Sequence, residues 1–162
     1  MVKFSSVILS AGNGTRFLSE TPKILHKIGN APLFLHIINT VTKIGCDNII
    51  LVTDISYNTS RYTKNFNNVT EVYQKEKLGT GHALQIAYKS VNKDSEYVAL
   101  LYGDTPLITE NTISSAIEKI NNDNARYGFE ILEGPKSLMT SEYIEQKEVL
   151  MLENMFGENA NV

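Results

Sequence analysis

The chain has 162 residues, 42% of them hydrophobic and 20% charged, enough to bury one core and too few for several domains. A net charge of −3 gives no general attraction to nucleic acid or an anionic membrane, so any basic site has to be local. The single cysteine, Cys46, excludes an internal disulfide framework, and no apolar run is long enough to cross a bilayer. Ser5 and Ser6 interrupt the apolar start too early for a secretory signal, so a soluble cytoplasmic protein is the expectation.

Phe4–Leu9 reads as a first strand, and it runs straight into Leu9-Ser10-Ala11-Gly12-Asn13-Gly14-Thr15-Arg16, with Lys23 seven residues further on. Gly12 and Gly14 allow a tight turn close to a ligand, where successive N–H groups can converge on an anion. Arg16 and Lys23 add the positive charge that a polyphosphate needs. A dinucleotide fingerprint would require glycine where Phe17 stands, and a Walker loop would require Gly-Lys-Ser/Thr after Gly14, so neither applies.

Leu33, Ile37, Val41 and Ile44 then recur at helical spacing, opened by Pro32 and closed by Gly45, with Cys46 read as a small buried residue. Asn48–Thr53 is a β-branched strand. Ser56–Phe66 is polar and is expected to be helical, and Val69–Tyr73 is a short strand. Gly81–Ser90 predicts a helix with Leu84, Ala87 and Tyr88 inward. Glu96–Tyr102 predicts a strand, and Asn111–Ile120 a helix followed by a polar loop from Asn121 to Asn124. Continuous apolar strands alternating with helices predict an α/β fold, a Rossmann-like, mainly parallel sheet covered on both faces. The core is expected over 1–125 and a divergent tail over 126–162, the tail with a strand near Tyr127–Leu132 and a helix over 141–156.

Two further segments follow strands and so fall at the end of the sheet where ligands bind. In Tyr102-Gly103-Asp104-Thr105-Pro106, a carboxylate just past a buried strand suits a hard divalent cation that completes its shell with phosphate oxygens and water, or else starts a turn. In Gln74-Lys75-Glu76-Lys77-Leu78-Gly79-Thr80-Gly81-His82-Ala83, the Gly-Thr-Gly turn opens a helix with Thr80 as its expected N-cap. Its free N–H groups, the Thr80 hydroxyl and the Gln74 amide can read the polar edge of a nucleobase. His26, His36 and His82 form no ligand cluster and are read as structural, and no serine sits in a nucleophile elbow.

These motifs, in this order and spacing, resemble the N-terminal uridylyltransferase domain of the bacterial GlmU family within the sugar nucleotidyltransferases. The resemblance covers roughly residues 1–120, and Leu78-Gly79-Thr80-Gly81-His82-Ala83 is its most specific part. It implies a reaction of UTP with N-acetylglucosamine 1-phosphate, giving UDP-N-acetylglucosamine and pyrophosphate, with magnesium as cofactor. Leu9, Ser10, Ala11 and Gly12 would line the nucleotide with backbone groups. Arg16 and Lys23 would balance the triphosphate, Gln74, Gly79 and Thr80 would recognise uracil, Tyr102 and Gly103 would contact the nucleotide sugar region, and Asp104 would hold magnesium. The expected form is shortened, lacking the acetyltransferase domain, the sugar pocket and a second magnesium ligand. A nucleotide-binding module keeping only the UTP side of the site is therefore the alternative. Gln74 with the Leu-Gly-Thr-Gly-His-Ala element argues against a guanylyltransferase of the molybdenum-cofactor type.

Overall fold

Twelve elements follow one another in the computed structural model, which describes residues 3–12 and 19–122. They are β1 (Phe4–Leu9), a 3-10 turn (Lys23–Leu25), β2 (Lys27–Ile28), β3 (Ala31–Pro32), α1 (Leu33–Lys43), β4 (Asn48–Thr53), a second 3-10 turn (Ile55–Tyr57), α2 (Ser60–Thr63), β5 (Val69–Tyr73), α3 (Thr80–Tyr88), β6 (Tyr97–Tyr102) and α4 (Glu110–Asn122). All of them belong to the first of the chain's two units, Met1–Gly128. Gly14 and Arg16, the strand expected over 127–132 and the helix expected over 141–156 lie outside the described residues.

β1 is buried along almost its whole length because it has a parallel partner on each side. It pairs with β4 and with β6, and β4 pairs in turn with β5, giving the all-parallel order β5-β4-β1-β6. In this register Leu9 stands opposite both Val52 and Tyr102, so the three strands end level. β2 and β3 form a separate antiparallel hairpin turned by Gly29 at φ 61°, which sequence periodicity does not reveal.

The sheet's two faces follow from side-chain alternation. Phe4 and Ile8 of β1 and Ile49 and Leu51 of β4 turn to one face, where they pack with Phe34, Ile37, Ile38 and Val41 of α1 and Ile113 of α4. Each of these buried apolar side chains contributes about 1.5–3 kcal/mol. Val7, Ile50 and Val52 turn to the other face; α3 packs on β1 and β4 and buries Ala83, Leu84 and Ala87. α1 begins directly after Pro32 and ends as expected, with Gly45 at φ 85° just beyond it.

Several expectations need correction. No helix spans Ser56–Phe66: the Asp54 side chain accepts the Ser56 N–H to start a 3-10 turn, Asn58 at φ 48° ends it, and only one α-turn follows. The N-cap of α3 is Gly79, at φ 97°, rather than Thr80, which is the first helical residue. Tyr88 is exposed instead of facing inward, and Asn121 and Asn122 are the last residues of α4 rather than loop.

Candidate nucleotide site

From β1 the chain builds outward through β4 to β5, then returns to the far side of β1 to form β6. That reversal lies between β1 and β6, and crevices for ligands form beyond the carboxyl ends of strands at such a point. Leu9–Gly12 and Tyr102–Asp104 leave the two strands there.

Lys23 and Asp104, 81 residues apart in sequence, meet with Lys23 Nζ donating to Asp104 Oδ2 at 2.6 Å. Lys23 opens a 3-10 turn held by Leu25 N–H on the Pro22 carbonyl and anchored in the core by Ile24. Asp104 projects from the turn after β6, which Thr105 closes by donating both its N–H and its hydroxyl to the Tyr102 carbonyl. The two side chains are 39% and 35% exposed, so the pair stabilises the fold by about 0–1 kcal/mol and can open cheaply. Among the described residues no group of three or more His, Cys, Asp or Glu side chains converges on a metal position. A lone, accessible carboxylate beside an ammonium fits a hard cation that takes its other ligands from phosphate and water.

The wall beside this pair is made of backbone. The Ser10 N–H donates to Val52 O at 2.7 Å and the Gly103 N–H to Leu9 O at 2.8 Å, so both donors are spent on the sheet. Among the described residues, the Ala11 and Gly12 N–H groups are not so engaged. A Cβ on Gly103 would collide with the Ser10 Oγ and crowd the Leu9 carbonyl, so the chain's own packing favours glycine here. Tyr102, the last residue of β6, is exposed.

Gln74 is buried, and its Nε2 donates to the Gly79 carbonyl at 3.1 Å and to His82 Nδ1 at 3.2 Å. The amide therefore closes the loop that precedes α3, and its N–H groups are already used. This arrangement makes Nδ1 the unprotonated nitrogen of His82. His26 donates to Thr21 O and His36 to Ile28 O, so all three histidines make local hydrogen bonds.

A second charged cluster follows β4 and β5, on the opposite side of β1 from β6, and the sequence motifs did not point to it. Lys77 Nζ lies 3.0 Å from Asp54 Oδ2 and donates to the Tyr57 hydroxyl at 3.4 Å; Tyr57 in turn donates to the Gly12 carbonyl at 3.2 Å. The hydroxyl and N–H of Ser56, and then Lys77, pull the Asp54 pKa down to about 2. Burial pulls the Lys77 pKa down, but Asp54 and Tyr57 outweigh it and leave the ammonium above its ordinary value. One signal for Asp54 was available: it is an acid directly after an apolar strand, much as Asp104 lies two residues past the end of β6.

Residues 6–132 match the MobA-like NTP transferase domain. The chain belongs to the MobA-like NTP transferase family. It is 43% identical over 112 residues to the bifunctional protein GlmU of Idiomarina loihiensis, a match covering 69% of this chain and 24% of that protein. This family member thus spans about a quarter of that relative's length. Among solved structures, a nucleotidyl transferase from Methanothermobacter superposes with a TM-score of 0.62 at 18% identity, over 72% of this chain and 57% of that one. The manganese complex of Rv0371c from Mycobacterium tuberculosis superposes with a TM-score of 0.60 at 19% identity, over 75% of this chain and 61% of that one. The fold of this family member is the nucleotide-diphospho-sugar transferase fold.

Proposed function

We propose that the chain is a uridylyltransferase of the UDP-N-acetylglucosamine pyrophosphorylase type, with its nucleotide site in the core over 1–125 and its work done in the cytoplasm. A phosphate oxygen of N-acetylglucosamine 1-phosphate attacks the α-phosphorus of UTP. The bond from that phosphorus to the bridging oxygen breaks, and pyrophosphate leaves with the electron pair. Such a transfer needs positioning and charge neutralisation rather than a covalent intermediate.

The observation that carries this reading is the Lys23–Asp104 pair at the carboxyl edge between β1 and β6. With substrate present the pair would part: Lys23 would turn to the phosphates, and Asp104 would be the residue that holds magnesium. When bound, magnesium supplies charge neutralisation to the phosphate oxygens. Arg16 adds a second positive charge, Gly14 belongs to the same nucleotide-binding motif, and the Ala11 and Gly12 N–H groups face the nucleotide. Gly79, Thr80 and the remaining acceptor of Gln74 read uracil, and Tyr102 borders the nucleotide sugar. The 43% identity to a GlmU protein supports UTP and N-acetylglucosamine 1-phosphate as the substrates.

Pyrophosphate release tests the proposal. Wild type with UTP, N-acetylglucosamine 1-phosphate and magnesium should turn over, and Asp104→Asn should lower kcat/KM by roughly 10²–10³-fold. Absence of turnover in a protein that UTP still stabilises against heat would overturn the transfer reaction and leave a nucleotide-binding module. Absence of stabilisation by any nucleotide would overturn both.

A further inference from the structure

Asp54, Tyr57 and Lys77 take no part in the reaction proposed above, yet together they join three separate strand-to-helix connections. Asp54 and Tyr57 follow β4, Lys77 follows β5, and Gly12, which receives the Tyr57 hydroxyl, follows β1. The loop carrying Lys77 is closed on itself, by Gln74 Nε2 on the Gly79 carbonyl and by Leu78 N–H on the Glu76 carbonyl. Its base is tied to the sheet by Gln74 N–H on Thr53 O. Its tip is poorly anchored by packing, since Lys75, Glu76 and Gly79 are exposed and Leu78 is 68% exposed. Lys77 is an exposed residue like these, but its side chain, 30% exposed, is tied down: it pairs with Asp54, whose side chain is 19% exposed, and the ammonium also lies 5.4 Å from the centre of the Tyr57 ring. A partly desolvated ion pair with a cation–π contact is a stronger anchor than an open surface pair.

The geometry points to Lys77 as a positioning residue that fastens the tip of the Gln74–Gly79 loop to the glycine loop through Asp54 and Tyr57. This inference rests on the nucleotide reading above. The first loop serves the base and the second the phosphates, so fixing their spacing lets one ligand engage both without a fresh ordering cost. The gain is confined to ligands long enough to span the two loops. A ligand that occupies only the phosphate end gains little from the latch, whereas one that touches Lys77 directly would depend on its charge whatever its length.

Calorimetric titration with magnesium present, using UTP and inorganic tripolyphosphate as separate ligands, distinguishes these cases. Lys77→Met should weaken UTP binding about ten-fold and leave tripolyphosphate within two-fold of wild type. Lys77→Arg, which keeps the charge and the reach, should restore most of the UTP affinity. Tyr57→Phe keeps the ring in the core and should weaken UTP in the same selective way, and adding it to Lys77→Met should cost little more, because the residues act in series. Equal loss for both ligands would overturn the inference by making Lys77 a direct phosphate contact. Unchanged UTP binding in Lys77→Met would overturn it by making the latch idle. Failure of wild type to bind UTP is a distinct result, and it overturns the nucleotide reading itself.

Discussion

Gly103 N–H closes onto the Leu9 carbonyl at 2.8 Å, which brings its Cα so close to β1 that a Cβ would lie 3.1 Å from both the Leu9 oxygen and the Ser10 Cβ, and nearer still to the Ser10 Oγ. Ser10 is buried and its hydroxyl has no hydrogen-bond partner among the described residues, so the crowding there brings no polar contact in return. Gly103→Ala should cost about 1–3 kcal/mol in urea unfolding. Ser10→Ala in the same chain should recover part of that loss, because it removes the nearest obstacle; a Gly103→Ala variant as stable as wild type would contradict this packing. The sequence marks Gly103 as special because a glycine before an acid reads as room for a ligand; its close approach to Ser10 is a further demand on the position that no local pattern shows. Lys23 and Asp104 were each legible as candidates by residue type. Their pairing was not, because it depends on two chain segments 81 residues apart meeting at one sheet edge.

Among the elements, β1, β4 and β5 were readable to the residue, because runs such as Asn48-Ile49-Ile50-Leu51-Val52-Thr53 are apolar, β-branched and bounded by turns. Ser56–Phe66 misled because its outcome depends on caps rather than periodicity: the Asp54 carboxylate starts a short turn, and Asn58 in the left-handed region stops it. That cap has a measurable consequence. The Asp54 pKa is about 2 in the fold, below its ordinary value of 3.8, so its contribution is fully present above about pH 4 and fades as the pH falls towards 2. The contribution is on the order of 1 kcal/mol for a partly exposed group. Urea midpoints of wild type and Asp54→Asn should therefore differ at pH 6 and converge between pH 4 and 2. A gap that stays constant across that range would show that the carboxylate's charge does not support the turn.

At the scale of the molecule, alternation of apolar strands with helices was enough to infer a parallel sheet, and hence which end of it carries ligands. The strand order β5-β4-β1-β6 was not written in any local pattern; it follows from which strands pair, and it sets the crevice between β1 and β6. There the Lys23–Asp104 pair leaves each charged group neutralised by the other, so nucleotide and cation should bind jointly, each taking the partner that the other releases. The most direct measurement is the affinity for UTP by calorimetry, with magnesium and with chelator, in wild type and Asp104→Asn. UTP should bind at least about ten-fold tighter with magnesium in wild type, and the variant should lose that difference. The same affinity with magnesium and with chelator, or no binding in either, would contradict a joint nucleotide and cation site at this edge.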